Sequence, residues 1–243
     1  MSVQFLIDRF QNAKDITAVI TNDVEYSYGD LLRSYHEASD FVSNDIPSGS
    51  VVSIKADFSL KSIAFFLALI SNNNLIVPIS TAVKTIDKYY SIANVQYEID
   101  LRDDIPCVSQ ILPREVTLHE IQNFLKTSGH PGLILFSSGS TGKSKAAVHD
   151  LIPLLEKFHV LRPAMRSLTF LLFDHIGGFN TMFHILSNTG TIVTTVDRSP
   201  ESICSLIEKF KIELLPTSPT FLNLLLMTRA HEKHNISSLK LIT

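Results

Sequence analysis

Cysteine is nearly absent from this 243-residue chain: Cys107 and Cys204 stand alone and far apart. Such spacing forms neither a zinc motif nor a disulfide framework, so metal-finger and disulfide-stapled classes drop out. Two buried, unbonded thiols in a reducing compartment are expected instead. A basic excess is missing too. Lys+Arg 21 against Asp+Glu 24 leaves a formal net charge of −3, which argues against nucleic acid or an anionic membrane as partner. Long apolar runs are lacking. The longest, Ile63 to Ile70, falls far short of the roughly 20 residues a membrane helix needs. Asp8 and Arg9 interrupt MSVQFLIDRF where a signal peptide would need an unbroken apolar stretch. No internal repeat, low-complexity tract or long Gly/Ser/Pro linker occurs. The expectation is a cytoplasmic chain without a membrane span.

What is present is an ordinary globular balance, 45% hydrophobic and 19% charged, sufficient for one large domain or two small ones. Helical and extended signals alternate. Leu31, Leu32, Tyr35, Ala38, Phe41 and Val42 recur at three and four residues, predicting an amphipathic helix over Tyr28 to Ser43. Pro47-Ser48-Gly49 turns the chain into a strand at Val51 to Ala56. Leu60 to Ser71 reads as a buried helix stopped by Asn72-Asn73-Asn74, and Leu75 to Ile79 as the next strand. Leu133 to Phe136, Ser167 to Phe173 and Thr191 to Val196 read as strands buried on both faces. Ser199-Pro200 and Ser218-Pro219 are helix starts with an N-cap serine and proline at the first helical position. The fold class is α/β, with layered, mostly parallel sheets flanked by helices. Charged residues and prolines cluster between Asp100 and Leu118, and a boundary there would give subregions 1–110 and 111–243.

The chemistry concentrates in LILFSSGSTGKSKAAVHD, Leu133 to Asp150. Gly142-Lys143-Ser144 imitates the end of the nucleotide-binding P-loop G-x-x-x-x-G-K-S/T. The first glycine of that pattern would stand at 137, where Ser137 is found. A P-loop lysine and serine also open a helix whose N-terminus completes the phosphate cradle, whereas KAAVH reads as extended. LTFLLFD, Leu168 to Asp174, does resemble the strand and aspartate that hold magnesium in P-loop enzymes. A second reading is an anion-binding loop built from Ser, Gly and Thr, whose glycines allow the backbone to fold as a nest. Lys145 would add charge-assisted hydrogen bonds of roughly 1.5–3 kcal/mol each. The plain alternative is a flexible turn between two strands.

Phe136-Ser137-Ser138-Gly139-Ser140-Thr141-Gly142-Lys143-Ser144-Lys145-Ala146 resembles, without a gap, the signature of the acyl-adenylate-forming superfamily. Acyl-CoA synthetases, luciferases and peptide-synthetase adenylation domains belong to it, and its motif reads roughly Y/F-T-S-G-S/T-T-G-x-P-K-G. Here the proline is Ser144 and the last glycine Ala146. EYSYGDLLRSYHEASDFV is similar to the family's early helix, and FDHIGGFNTMFHILSNTGTIV to a later motif reading F-H-x-x-G in acyl-CoA synthetases. LLPTSPTFLNLLL and SSLKLIT are similar to the helix and strand that follow, so nearly the whole chain matches in order.

The resemblance implies the N-terminal portion of the large adenylating domain, covering residues 1–243. Its reaction would be carboxylic acid + ATP to acyl-adenylate + pyrophosphate, then transfer to the thiol of coenzyme A or a carrier protein. Ser137, Ser138, Gly139, Ser140, Thr141 and Gly142 would hold the β- and γ-phosphates, with Lys145 as the adjacent cation. Lys143 falls at a variable position. His175 would sit at the acid pocket as its catalytic group. Gly177 and Gly178 would let a helix approach the acyl group, or simply pack closely. Asp174 falls just before the motif, which favours an acid other than an amino acid. His149 lies where some members carry a histidine, while Asp150 reads as a helix cap. The family's magnesium glutamate, ribose aspartate and catalytic-lysine domain have no counterpart here, so no metal ligand is assigned. The expectation is a ligase portion inactive alone, either cut down or completed by a C-terminal chain. A non-catalytic interaction module that keeps the fold is the alternative.

Overall fold

The computed structural model describes residues 3–81, 83, 86–103, 105–111, 119–138 and 144–243, with Ser138 described by its backbone alone. The chain opens with α1 (Gln4–Asn12), β1 (Thr17–Thr21), β2 (Val24–Ser27) and α2 (Tyr28–Asp45). A β/α run follows as β3 (Val51–Lys55), α3 (Leu60–Ser71), β4 (Leu75–Ile79), α4 (Ile86–Ala93) and β5 (Tyr97–Asp100). Next come β6 (Cys107–Gln110), α5 (Glu120–Ser128), the hairpin strands β7 (Gly132–Ser138) and β8 (Ser144–Asp150), and α6 (Leu151–Glu156). The last part is β9 (Arg166–Leu168), α7 (Ile176–Ser187), β10 (Thr191–Val193), α8 (Pro200–Phe210), β11 (Leu214–Leu215), α9 (Pro219–Thr228) and β12 (Leu241–Ile242).

Among the described residues these strands make two sheets, ordered β12-β11-β9-β10-β1-β2 and β6-β5-β3-β4-β7-β8. Both are parallel except at antiparallel margins: β2 on β1, β6 on β5 and β8 on β7. The expected layered α/β architecture is therefore present. Strand pairing crosses the 110/111 point, since β1 pairs with β10 and β4 with β7.

Alternation along the strands explains the layers. Val52, Ile54, Ile76, Leu133, Leu135 and Ile192 point into a central core, together with the buried faces of α2, α3 and α7. Their neighbours Leu75, Val77 and Ile134 face the opposite side, under α4 and α5. Ile20, Val193 and Leu215 likewise face away, under α8 and α9. A strand buried on both faces must be apolar at successive positions, and LIVPI and LILF are. Helix α3 lies in the central layer, and its whole run Ile63 to Ile70 is buried. Apolar residues around its full circumference leave it no solvent face.

Local chemistry fixes the ends. Ser27 with Asp30, and Ser59 with Ser62, form capping boxes at α2 and α3, each satisfying otherwise orphaned N–H groups. The triple asparagine turns α3 into β4 through a positive φ of 58° at Asn73. Asn72 and Asn74 donate side-chain hydrogen bonds to the Ile46 and Pro47 carbonyls, both at 3.0 Å. Tyr28 is fully buried, and its hydroxyl donates to the Gly190 carbonyl at 2.7 Å, tying α2 to the approach of β10. Burial pushes that phenol's pKa well up. Tyr28→Phe leaves the carbonyl unpaired and should cost about 1–2 kcal/mol, read as a lower urea midpoint with an unchanged slope.

Three expectations need correcting. The strand expected over Ser167 to Phe173 ends at Leu168. Beyond it the chain leaves the sheet, because Phe173 packs edge-on against Phe58 and Phe66 while Asp174 reaches the other sheet. The strand expected to Val196 stops at Val193. Cys204 is buried as expected, and burial raises its thiol pKa. Cys107 is exposed instead, because β6 is an edge strand with few neighbours.

One surface cluster sets a pH dependence. His234 takes Glu208 at 3.0 Å on Nδ1 and Glu201 at 3.2 Å on Nε2. The hydrogen bond to Glu208, and then the one to Glu201, raise its pKa. A raised folded pKa means the stabilisation is fully present below the unfolded value of about 6.5 and is lost as pH rises through the folded value. Thermal stability should therefore decline from just above pH 6.5 upward, and His234→Gln should flatten that part of the profile. An identical slope in both proteins would remove His234 from the explanation.

Candidate active site

The carboxyl ends of the parallel strands open into one cleft of about 500 Å³. Crevices of this kind form where parallel strands stop and their loops diverge. One wall comes from the second sheet: Pro78 in β4, Phe136 in β7 and Tyr89 on α4. The facing wall comes from the first sheet: Phe170, Leu171, Leu172, Asp174 and His175 after β9, Arg198 after β10, and Ser218 after β11. Tyr89 and Phe136 stack with centroids 4.0 Å apart and planes 5° from parallel. The lining is thus mainly apolar with a few polar groups, as small-molecule clefts usually are.

His175 is the N-cap of α7, and its Nδ1 accepts the Gly177 N–H at 3.1 Å. An accepting Nδ1 belongs to the neutral ring with its proton on Nε2, so His175 offers one N–H donor at the cleft. The next two glycines have different surroundings. A Cβ on Gly178 would lie 2.0 Å from the Leu172 carbonyl oxygen, and one on Gly177 would lie 2.4 Å from Leu171 Cδ1. Both absences let the first turn of α7 press against the 171–172 segment. Neither glycine lines the cleft, so the close-packing reading is the one their contacts support.

Asp174 links the two sheets at the cleft. Its Oδ2 accepts the Ser80 N–H at 3.1 Å, bridging the end of β4 to the segment after β9. Ser80 Oγ is buried and has no hydrogen-bond partner among the described residues.

The Ser/Gly/Thr run closes the β7–β8 hairpin. Ser137 pairs with Lys145 and Ser138 with Ser144, so Ser137 and Lys145 share one face at the mouth of the loop. Both are exposed, and Lys145 forms no ion pair among the described residues. Gly139, Ser140, Thr141, Gly142 and Lys143 lie outside the described residues. The chain continues after the run as strand β8, and a helix begins only at Leu151, capped by Asp150 accepting the Ile152 N–H at 2.9 Å. A strand in that place excludes the helix N-terminus a P-loop requires.

The structure thus brings His175 to the cleft with Phe136, the residue that leads into the loop. Ser137 and Lys145 sit at the neighbouring hairpin mouth, outside the lining. Sequence reading missed Arg198, and it set Asp174 outside the motif. A signal existed for the arginine: it falls where a parallel strand gives way to a helix, the position from which such clefts are lined. Among the described residues no group of three His, Cys, Asp or Glu side chains could hold a metal ion, and no helix is long and apolar enough to cross a membrane.

The family model described as AMP-binding enzyme matches residues 7–243. A search of the curated proteins gives no match. Among solved structures, the Klebsiella oxytoca NpsA N-terminal subdomain in complex with 3-hydroxybenzoyl-AMSN is similar at TM-score 0.75 and 18% identity, covering 92% of this chain and 61% of that one. The inhibitor-bound N-terminal domain of FACL13 from Mycobacterium tuberculosis is similar at 0.78 and 16%, covering 99% and 68%. The luciferase-like enzyme of the nonluminescent Zophobas morio mealworm is similar at 0.75 and 18%, covering 99% and 65%. At these identities the likeness is one of fold, and the chain spans less than two thirds of the NpsA subdomain.

Proposed function

The chain belongs to the AMP-binding enzyme family, and from that premise we propose that it carries the phosphate loop and acid cleft of an AMP-forming acid ligase. The reaction joins an acyl or aryl acid to ATP, giving acyl-adenylate and pyrophosphate, and then passes the acyl group to coenzyme A or a carrier-protein thiol. The observation that carries this reading is the cleft itself, which lies between the strand leading into the Ser/Gly/Thr run and the histidine-capped helix α7.

The roles follow from the chemistry. A carboxylate attacking the α-phosphorus approaches a polyanion, so the site must hold the triphosphate in line and offset charge repulsion. Ser137, Ser138, Gly139, Ser140, Thr141 and Gly142 embrace the β- and γ-phosphates through hydroxyls and backbone N–H groups. Lys145, exposed and without an ion-pair partner among the described residues, supplies the cation. His175 donates from Nε2 toward the acid's carboxylate and orients it. Magnesium would arrive with the nucleotide, since the described residues build no cage for it and such ions are commonly held by phosphates with one or two carboxylates. It would neutralise phosphate charge.

The setting is the cytoplasm, and a complementing C-terminal segment or chain would supply the remaining groups. One observation favours a second reading, a non-catalytic interaction module. Leu226 and Met227 on α9 and Leu241 and Ile242 on β12 are exposed, and exposed large apolar side chains of this kind suit contact with a partner. Acid-dependent exchange of labelled pyrophosphate into ATP separates the two. Exchange by the protein containing this chain, abolished when the cleft residues are altered, supports the ligase. Absence of exchange across a broad acid panel, with ATP giving no thermal protection, sinks it.

A further inference from the structure

We infer that the acid accepted by this cleft carries a second anionic group, most simply a distal carboxylate, which Arg198 receives. The inference rests on the acid-activation reading above and narrows its substrate class. Arg198 stands where β10 gives way to α8, on a wall it shares with Phe170, Leu171, Leu172, Asp174, His175 and Ser218, facing Pro78 and the stacked Tyr89–Phe136 pair. Its Nε donates to the Phe170 carbonyl at 3.0 Å, which orients the guanidinium and leaves its terminal nitrogens for another partner. Among the described residues Arg198 makes no ion pair. The cleft's carboxylate, Asp174, already accepts the Ser80 N–H and lies beyond ion-pair range of the guanidinium.

Arg198 is half-buried in a mainly apolar cleft, where an anion that meets its guanidinium would form charge-assisted hydrogen bonds. The reacting carboxylate is a poor candidate for that anion. A guanidinium clamped on it would withdraw the electron density needed to attack phosphorus. A plain monoacid would leave Arg198 unanswered, whereas a diacid answers it with a planar fork matched to the guanidinium.

The test measures binding to the protein containing this chain by titration calorimetry. The probes are dicarboxylates from succinate to sebacate, each set against the monocarboxylate of equal length, with ATP titrated separately. The expected result is a diacid preference of about 10- to 100-fold at one or two chain lengths. That preference should vanish in Arg198→Leu and survive in part in Arg198→Lys, which keeps the charge and guards against a folding artefact. Equal affinity within each pair for the unaltered protein overturns the inference. So does a preference that persists in Arg198→Leu, or a substitution that weakens ATP alone, which would assign the arginine to a phosphate. If monoacids bind with no diacid preference, only this inference falls. If no acid of either series binds, this inference falls, and the pyrophosphate-exchange panel with aryl acids decides the ligase reading separately.

Discussion

Lys145→Ala should lower acid-dependent pyrophosphate exchange by about 10²–10³-fold, the loss typical when a preorganised group on developing charge is removed. Lys145 is placed for such a role by the strand register. It sits directly across from Ser137 at the mouth of the hairpin, and in the proposed role its ammonium would stand beside the phosphates assigned to the Ser/Gly/Thr run. No described carboxylate neutralises it, and its charge is therefore available to a ligand. The side chain is exposed, and exposed substitutions away from caps and cores usually shift stability by no more than about 0.5 kcal/mol. Melting temperature should thus stay level while exchange collapses. Lys145→Arg should recover part of the rate by retaining charge. Exchange kinetics unchanged by the alanine would remove Lys145 from the site.

Gly178→Ala should destabilise the fold by about 2–3 kcal/mol. Helix propensity alone predicts the opposite sign, since alanine is favoured over glycine inside a helix by about 1 kcal/mol. Packing decides the matter. The new Cβ would lie 2.0 Å from the Leu172 oxygen, 2.9 Å from the Leu172 carbonyl carbon and 3.1 Å from the Leu171 oxygen. Those atoms are backbone and cannot rotate aside, so α7 or the 171–172 segment must move. For a chain of this size each kcal/mol corresponds to roughly 2–4 °C, giving a melting temperature lower by roughly 5–10 °C. Gly177→Ala offers the contrast, because the nearest obstacle there is the Leu171 methyl at 2.4 Å, the end of a flexible side chain. Its cost should be clearly smaller. Equal, small effects for both would mean that α7 does not need this close approach.

Legibility in the sequence followed the range of the forces involved. Helix α3 and strand β4 were readable to the residue because their apolar runs and flanking turn residues act locally. The same holds for the starts of α8 and α9, whose serine caps and first-position prolines are local devices. The strand expected through Phe173 failed for the opposite reason. Phe173 is buried against Phe58 and Phe66 and Phe170 packs on Phe221, all far away in the chain, while Leu171 and Leu172 line the cleft, and none of them lies within a sheet. Of the site, the loop signature and His175 were visible as motifs. Arg198 and the Asp174–Ser80 bridge depend on two sheets meeting, and no periodicity in one segment reports that meeting. The glycines after His175 were legible as close-approach residues, but their partner, a neighbouring carbonyl, was not.

The pairing of β1 with β10 has a consequence for how the molecule is made. Val19 lies beside Ile192 and Ile20 beside Val193, so β1 and β2 complete a sheet whose other members come much later along the chain. Every strand of the second sheet is synthesised in between. Until the late strands arrive, β1 presents an open hydrogen-bonding edge, the kind of surface that invites pairing with a neighbouring chain. The order of synthesis therefore allows the second sheet to form around α3 while the short hairpin still lacks its neighbours. Division of the chain at any point between the two sheets would separate β1 and β2 from the strands that give them a place.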